Sequence, residues 1–260
     1  MIIDCHVHWP SPYLHFVEEW APCTPDVPAA VAYLRRCGID AVVASSARAL
    51  EAQNATEVTA GNDEVAQAAR DQRGFVIPAC QVNTCFESHA LAEIRRCHAE
   101  LGMVWLGELC GYVGGFSYTE PIFAEALTLA TDLGMIVQIH DDSATDMARL
   151  CASFPATTFI LAHLGDSPEE VTERIGLAGR FPNLLLDICG HGYQRMGVLE
   201  MAVRVAGADR VLFGSDYTIN DPAGVIARIQ LADFDEATRQ KILGGNVQRL
   251  LMEHGLPVQQ

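Results

Sequence analysis

The sequence predicts an α/β protein, a (β/α)8 TIM barrel that occupies residues 1–260 as a single domain. Three observations lead there. Short apolar runs alternate with longer amphipathic runs from end to end, which implies parallel strands covered by helices. The alternation occurs eight times in 260 residues, a number and size that suit a closed barrel. No glycine-rich phosphate loop follows the first strand, which weakens the competing doubly wound open sheet, and no repeat, low-complexity tract or linker divides the chain.

The strands read in order as MIIDCHVH, GIDAVVASS, GFVIPACQVN, MVWLGELC, MIVQIHD, TTFILAHLG, NLLLDICG and RVLFGSDY. Each is short, apolar and bounded by turn-forming residues, as buried parallel strands are. Helical patterns lie between them. Asn62 or Asp63 is expected to cap one helix, and Ser167-Pro168-Glu169-Glu170 places proline and acids in the first turn of another. Gly38, Gly102 and Gly134 fall where helices should end in a left-handed residue. Gly244 to Asn246 reads as a turn and N-cap into the last helix.

Composition narrows the class. Hydrophobic residues make up 50% and charged residues 19%, as in a chain with a large core. A net charge of −16 argues against nucleic acid or an anionic membrane as partner. No apolar run reaches the ~20 residues of a bilayer span, and the N-terminus lacks the pattern of a signal peptide. The expectation is a cytoplasmic protein acting on a small-molecule substrate, with a homo-oligomer left open. Nine cysteines without a CxxC pair read as reduced, mostly buried thiols.

Strand ends carry the chemistry. In DCHVH, a flat strand would put Asp4, His6 and His8 on one face and Ile3, Cys5 and Val7 on the other, toward the helices. Glu108 lies in the fourth strand, His140 ends the fifth, His163 the sixth and Asp216 the eighth. Singly, each has a plain reading as a hydrogen-bonded core residue or a cap. Together they converge on the C-terminal mouth of a barrel. Imidazoles and carboxylates there suit a divalent cation, Zn²⁺ first, with Mn²⁺, Fe²⁺ or Co²⁺ as substitutes. Such an ion, with an open position, would supply hydroxide at neutral pH. Asp4 is expected either to orient an imidazole or to fill the interior.

These segments, with the closing ILGGNVQRLL, resemble the amidohydrolase superfamily, in its amidohydrolase-related branch, which also contains metal-dependent decarboxylases and hydratases. The resemblance implies that His6, His8, His140 and Asp216 occupy metal-site positions. It makes His163 a group that polarises substrate or binds a second ion, and Asp216 a general base as well as a ligand. Many binuclear relatives bridge their ions with a carboxylated lysine, but Lys241, near the C-terminus, is the only lysine here. Glu108 occupies the place of the strand-four glutamate that ligates metal in TatD-type relatives. Two ions are therefore favoured over one, with Glu108 shared or in the second site; as a pocket base or structural acid it would leave one.

Other pocket members are less marked. Arg48, Tyr112, His191 and Tyr193 are candidates for substrate binding, with Arg195 nearby; an arginine could hold a carboxylate. Asp141 and Asp142 read as loop caps. Two long connections follow strands one and four: the first holds Trp9, Tyr13, His15 and Trp20, and the second is GYVGGFSYTEP. Both are lid or pocket candidates.

The leading expectation is a metal-dependent hydrolase. In it, activated water attacks an amide, lactone or ester carbonyl while Asp216 shuttles the proton and His163 assists. The alternative is a decarboxylase of an aromatic or unsaturated acid, ranked lower because the pocket offers few bases for a carboxylate. A TatD-like phosphoesterase ranks lower again, and a non-enzymatic binding protein last.

Overall fold

The computed structural model describes residues 1–10, 26–140 and 143–256. Tyr13, His15, Trp20, Asp141 and Asp142 lie outside them. Among the described residues, eight strands alternate with helices. The first half runs β1 (Ile3–Trp9), α1 (Val27–Arg36), β2 (Ala41–Ser46), α2 (Ala47–Leu50), α3 (Ala55–Asp71), β3 (Val76–Pro78), α4 (Glu87–Leu101) and β4 (Trp105–Cys110). The second runs α5 (Gly111–Gly114), α6 (Pro121–Asp132), β5 (Ile136–His140), α7 (Ala144–Ser153), β6 (Phe159–Leu161), α8 (Pro168–Arg180) and β7 (Leu184–Asp187). It closes with α9 (Val198–Ala206), β8 (Val211–Leu212), α10 (Pro222–Gln230), α11 (Glu236–Gln240) and α12 (Asn246–Glu253).

All paired strands are parallel, in the orders β1-β2-β3 and β4-β5-β6-β7-β8. Two seams join the arcs into a ring. At one, Cys80 N–H donates to Trp105 O at 2.8 Å and Gly107 N–H to Cys80 O at 2.8 Å. At the other, Cys5 N–H donates to Phe213 O and Asp216 N–H to His6 O, both at 2.9 Å. The predicted closed barrel is what forms.

Its interior is a cluster drawing on every strand, including Ile3, Val43, Ile77, Trp105, Ile136, Ile160, Leu185 and Leu212. Val247, Leu250 and Leu251 of α12 join it and close one end. A larger cluster fills the space between the strands and the helices.

β1 departs from the flat strand. Asp4 pairs with Val42 and Val7 with Ala44, so three steps on β1 oppose two on β2. One extra residue reverses the facing of everything beyond it. Ile3 and Cys5 therefore both belong to the interior cluster, and Cys5 does not turn toward the helices. Beyond the bulge Val7 and Trp9 pack in the helix-facing cluster, leaving His6 and His8 to point inward. Trp9 is thus a core residue, not part of a lid.

β4 repeats the device. Leu106 pairs with Val137 and Leu109 with Ile139, again three steps against two. Gly107 sits in the bulge at φ 115°, and a Cβ there would stand 2.2 Å from Gln138 O. Only glycine fits, and the bulge delivers Glu108 to the inside.

Capping follows the sequence in part. Ser167 and Glu170 form a reciprocal capping box on α8, and Gly38, Gly102 and Gly134 all have positive φ after helices. Neither Asn62 nor Asp63 is a cap: α3 begins seven residues before Asn62, at Ala55 with Asn54 as its cap, and Asn62 is buried mid-helix, donating to Gln81 O and Glu93. Gly244 to Asn246 makes no turn either. A π-helical turn over Lys241–Gly245 runs straight into α12, and Asn246 Nδ2 donates to Ala208 O and Val211 O. The described cysteines are free thiols, most of them buried, with Cys85 exposed.

Candidate metal centre

At the mouth of the barrel the strand-end residues meet around Glu108, which is only 3% exposed. Its two oxygens face different partners. Oε2 lies 3.2 Å from His6 Nε2 and 3.6 Å from His8 Nε2, and Asp216 Oδ1 joins that side at 3.1 Å from His8 Nε2 and 3.7 Å from His6 Nε2. Oε1 lies 3.1 Å from His140 Nδ1 and 3.2 Å from His163 Nε2, and these two nitrogens are 3.1 Å apart. The six residues expected to hold metal thus form two donor groups that share one carboxylate.

His6 Nε2 and Asp216 Oδ1 are buried without a hydrogen-bond partner. Buried polar atoms left this way in native proteins call for a reason. In His6, His8 and Glu108, and again in Glu108, His140 and His163, the nitrogen and carboxylate donors lie within 4.8 Å of one another, a spacing and chemistry that suit a divalent cation. The donor set fits such an ion.

Backbone geometry reinforces the site. His163 and Asp216 sit just beyond β6 and β8 at φ 65° and 61°, the left-handed region that non-glycine residues avoid. Each such residue costs about 1–3 kcal/mol and persists where its surroundings impose it, commonly at functional positions. Asn220 Nδ2 donates to Asp216 Oδ2 at 3.0 Å, and the Tyr118 hydroxyl donates to the His140 carbonyl.

The electrostatics are those of a dense, mutually compensated cluster. Burial alone would lift the Glu108 carboxyl, but His6, then His140 and His163, hold it well below the usual carboxylate range. Burial also opposes charge on His6 and His163, yet Cys189 and Glu108 beside them drive both upward. Asp216 is held low against burial by His8 and His6.

Asp4 does neither of the things expected of it. Its carboxyl accepts from Ser215 N at 2.9 Å and His6 N at 3.1 Å and meets Ser215 Oγ at 2.5 Å, tying β1 to the turn after β8. Burial, against those hydrogen bonds, pushes it up to about 7. The imidazole partner is instead Asp187, whose Oδ2 lies 2.7 Å from His6 Nδ1. Asp187 is fully buried at the end of β7, in the segment NLLLDICG. A lone acid closing an apolar strand is the signal the sequence carries for it.

A cavity of about 570 Å³ opens above the centre, lined by His8, Glu108, His140, His163 and Asp216 among others. Tyr112 and His191 line its mouth. Tyr112 is 71% exposed with its ring 5.1 Å from that of His140, and His191 pairs with Asp166 at 3.4 Å. Arg48 and Tyr193 are not among the lining residues. Arg48 Nη1 donates to Glu64 at 2.6 Å, and Tyr193 is buried in the helix-facing core with its hydroxyl near Gly224. Arg174 is the one arginine in the lining among the described residues, and its Nη1 donates to Ala162 O and His163 O.

A model of the amidohydrolase family matches residues 3–252. This chain belongs to the amidohydrolase family. No curated protein matches it. Among solved structures it is similar to 2,6-dihydroxybenzoate decarboxylase from Rhizobium, at 17% identity and a TM-score of 0.77 over 98% of this chain and 99% of that one. It is similar to 5-carboxyvanillate decarboxylase from Sphingomonas paucimobilis, at 15% identity and a TM-score of 0.78 over 96% and 98%. A third is dihydroxybenzoic acid decarboxylase from Polaromonas sp., solved with bound manganese and the inhibitor 2-nitroresorcinol, at 19% identity and a TM-score of 0.77 over 96% of each chain. At these identities the likeness establishes the shared barrel. The family is one of enzymes, and its metal dependence agrees with the donor set; manganese in the Polaromonas protein gives zinc no preference. Among the described residues no helix is long and apolar enough to cross a membrane.

Proposed function

We propose that this enzyme is a metal-dependent decarboxylase of a small aromatic or unsaturated carboxylic acid. What supports this over hydrolysis is its whole-chain likeness to three decarboxylases that act on single-ring acids. The cavity volume of about 570 Å³ lies within the range of about 300–1,000 Å³ usual for small-molecule sites. When bound, a divalent ion supplies a Lewis acid and counter-charge for the carboxylate, which offsets the scarcity of arginine and lysine in the lining.

The chain's own groups then have distinct tasks. His6, His8, Asp216 and Glu108 would hold one ion, and Glu108, His140 and His163 the other. Asp216 Oδ1 takes a proton from the acidic substrate. It returns that proton to the carbon that keeps the electron pair as the C–C bond breaks and CO₂ leaves. Tyr112 and His191 contact the ring from the mouth.

Hydrolysis of an amide, lactone or ester is the second reading, favoured by the two-faced Glu108 carboxylate, which would let its two oxygens hold a pair of ions. Here Asp216 removes the proton from the attacking water and passes it to the leaving group. Incubating the metal-loaded enzyme with hydroxybenzoic acids, lactones and amides separates the readings. Release of CO₂ supports decarboxylation; release of an acid without CO₂ from a lactone or amide overturns it in favour of hydrolysis.

A further inference from the structure

Behind the metal-facing nitrogens lies a second, fully buried layer. His6 Nδ1 is 2.7 Å from Asp187 Oδ2. Cys189 Sγ is 3.1 Å from the same Asp187 oxygen, 3.1 Å from His163 Nδ1 and 3.2 Å from His6 Nδ1. The carboxylate is fixed by two further donors, Gln138 Nε2 to Oδ2 and Cys189 N to Oδ1, both at 3.0 Å. Gln138 in turn has its amide orientation set by Trp105 Nε1, which donates to Oε1 at 2.9 Å.

Room for this layer is reserved by glycines. A Cβ on Gly214 would lie 2.2 Å from Asp187 Oδ1, and one on Gly190 would lie 2.9 Å from His163 Nδ1.

We propose that Asp187 and Cys189 are positioning residues that keep Nδ1 of His6 and His163 as an N–H donor and fix both rings, so that Nε2 is the atom each would offer to an ion at the centre. Donor and acceptor accounting gives the direction of each bond. Asp187, as a carboxylate, only accepts, so the proton between it and His6 belongs to His6 Nδ1. Its Oδ2 also accepts the Cys189 S–H. The sulfur lone pairs are then free to accept from His163 Nδ1–H. The chain His163→Cys189→Asp187←His6 ends on one carboxylate and links histidines from β6 and β1, which belong to different donor groups around Glu108. A metal-ligating histidine needs its other nitrogen protonated and held, and such partners typically carry about 10- to 100-fold in metal affinity. The assignment rests on the metal-dependent reading above for its consequence, but not for its tautomers.

Two measurements test it. Long-range ¹H–¹⁵N spectra of the metal-free, folded protein report the tautomer of each ring directly. A protonated Nδ1 on both His6 and His163 is expected, whatever the state of the Nε2 that faces Glu108, and a bare Nδ1 on either overturns the proposal even if the protein never binds metal. Titration with Mn²⁺ or Zn²⁺ alone then compares the wild type with Asp187→Asn, Cys189→Ala and Cys189→Ser. Asp187→Asn should weaken binding about 10- to 100-fold and populate the other His6 tautomer. Cys189→Ala should do the same to His163, while Cys189→Ser, which keeps a donor and an acceptor, stays within a few-fold of the wild type. Unchanged affinity and tautomers in both Asp187→Asn and Cys189→Ala overturn the assignment. So does an ion in the wild type that disappears with Cys189→Ser, because these atoms would then be ligands themselves. If Asp187→Asn fails to fold, the wild-type spectra and the Cys189 pair still decide.

Discussion

Glu108 Oε2 lies 3.2 Å from His6 Nε2, although the two residues come from strands three places apart in the barrel. The other Glu108 oxygen faces His163 at 3.2 Å, so this side chain joins the two donor groups. Glu108→Gln should therefore lower the metal content of the purified protein and weaken the remaining binding by at least about 10-fold. Elemental analysis after equilibration with Mn²⁺ or Zn²⁺ is the check. An unchanged metal count would leave Glu108 as a pocket acid beside a single ion.

Asp216→Asn should reduce turnover by about 10²–10⁴-fold, the usual contribution of a general acid–base group. Asparagine tolerates the left-handed backbone found there at φ 61°, so the unfolding midpoint should move little. Wild-type rates in a folded variant would remove Asp216 from the proton transfers.

Gly107→Ala places a methyl group 2.2 Å from Gln138 O at a φ of 115°. The bulge that aims Glu108 inward must then distort. A loss of about 2 kcal/mol or more in chemical denaturation is expected, together with weaker metal binding. Gly115→Ala is a useful control, since a Cβ there meets nothing within 4 Å although its φ is also positive; it should cost stability but spare the metal.

Acid stability has a source away from the site. Burial raises Glu93, but Arg96 and Asn62 outweigh it and bring its pKa to about 2, from an ordinary 4.5. Its carboxylate accepts from Arg96 at 2.7 and 2.9 Å and from Asn62 at 2.8 Å. A depressed carboxyl pKa adds stability that is complete above about 4.5 and is lost as pH falls toward about 2, because the unfolded chain takes up its proton first. The contribution is on the order of 2–3 kcal/mol. Glu93→Gln should be less stable at neutral pH and should flatten the decline between about pH 4.5 and pH 2 in thermal melts. Parallel curves for the two proteins would count against this origin.

Metal should stabilise the fold itself. His6 Nε2 and Asp216 Oδ1 are buried without a hydrogen-bond partner, and an ion that satisfies them binds the native state alone. Adding Mn²⁺ or Zn²⁺ to chelator-treated protein at ~100 times its Kd should raise stability by about 2.7 kcal/mol and restore activity. A midpoint indifferent to both metals would argue against the centre.

The sequence by itself determined the barrel, because eight apolar runs alternating with amphipathic ones leave few other ways to bury both faces of every strand. It also marked His6, His8, Glu108, His140, His163 and Asp216, since polar groups at successive strand ends have one place to meet. Facing within a strand was legible only until a residue was inserted. The bulges in β1 and β4 are backbone events set by pairing with β2 and β5, and periodicity counted along one strand passes through them unaware. Cys5 faces the interior and not the helices for that reason. Asp187 and Cys189 were hidden for another: their roles depend on His6 and His163, 181 and 26 residues away along the chain, and such contacts exist only once the ring has closed. Tertiary structure likewise separated Tyr112 and His191, which reach the cavity, from Arg48 and Tyr193, whose partners lie elsewhere. Local chemistry chose the ligands, and the closure of the barrel decided what stands behind them.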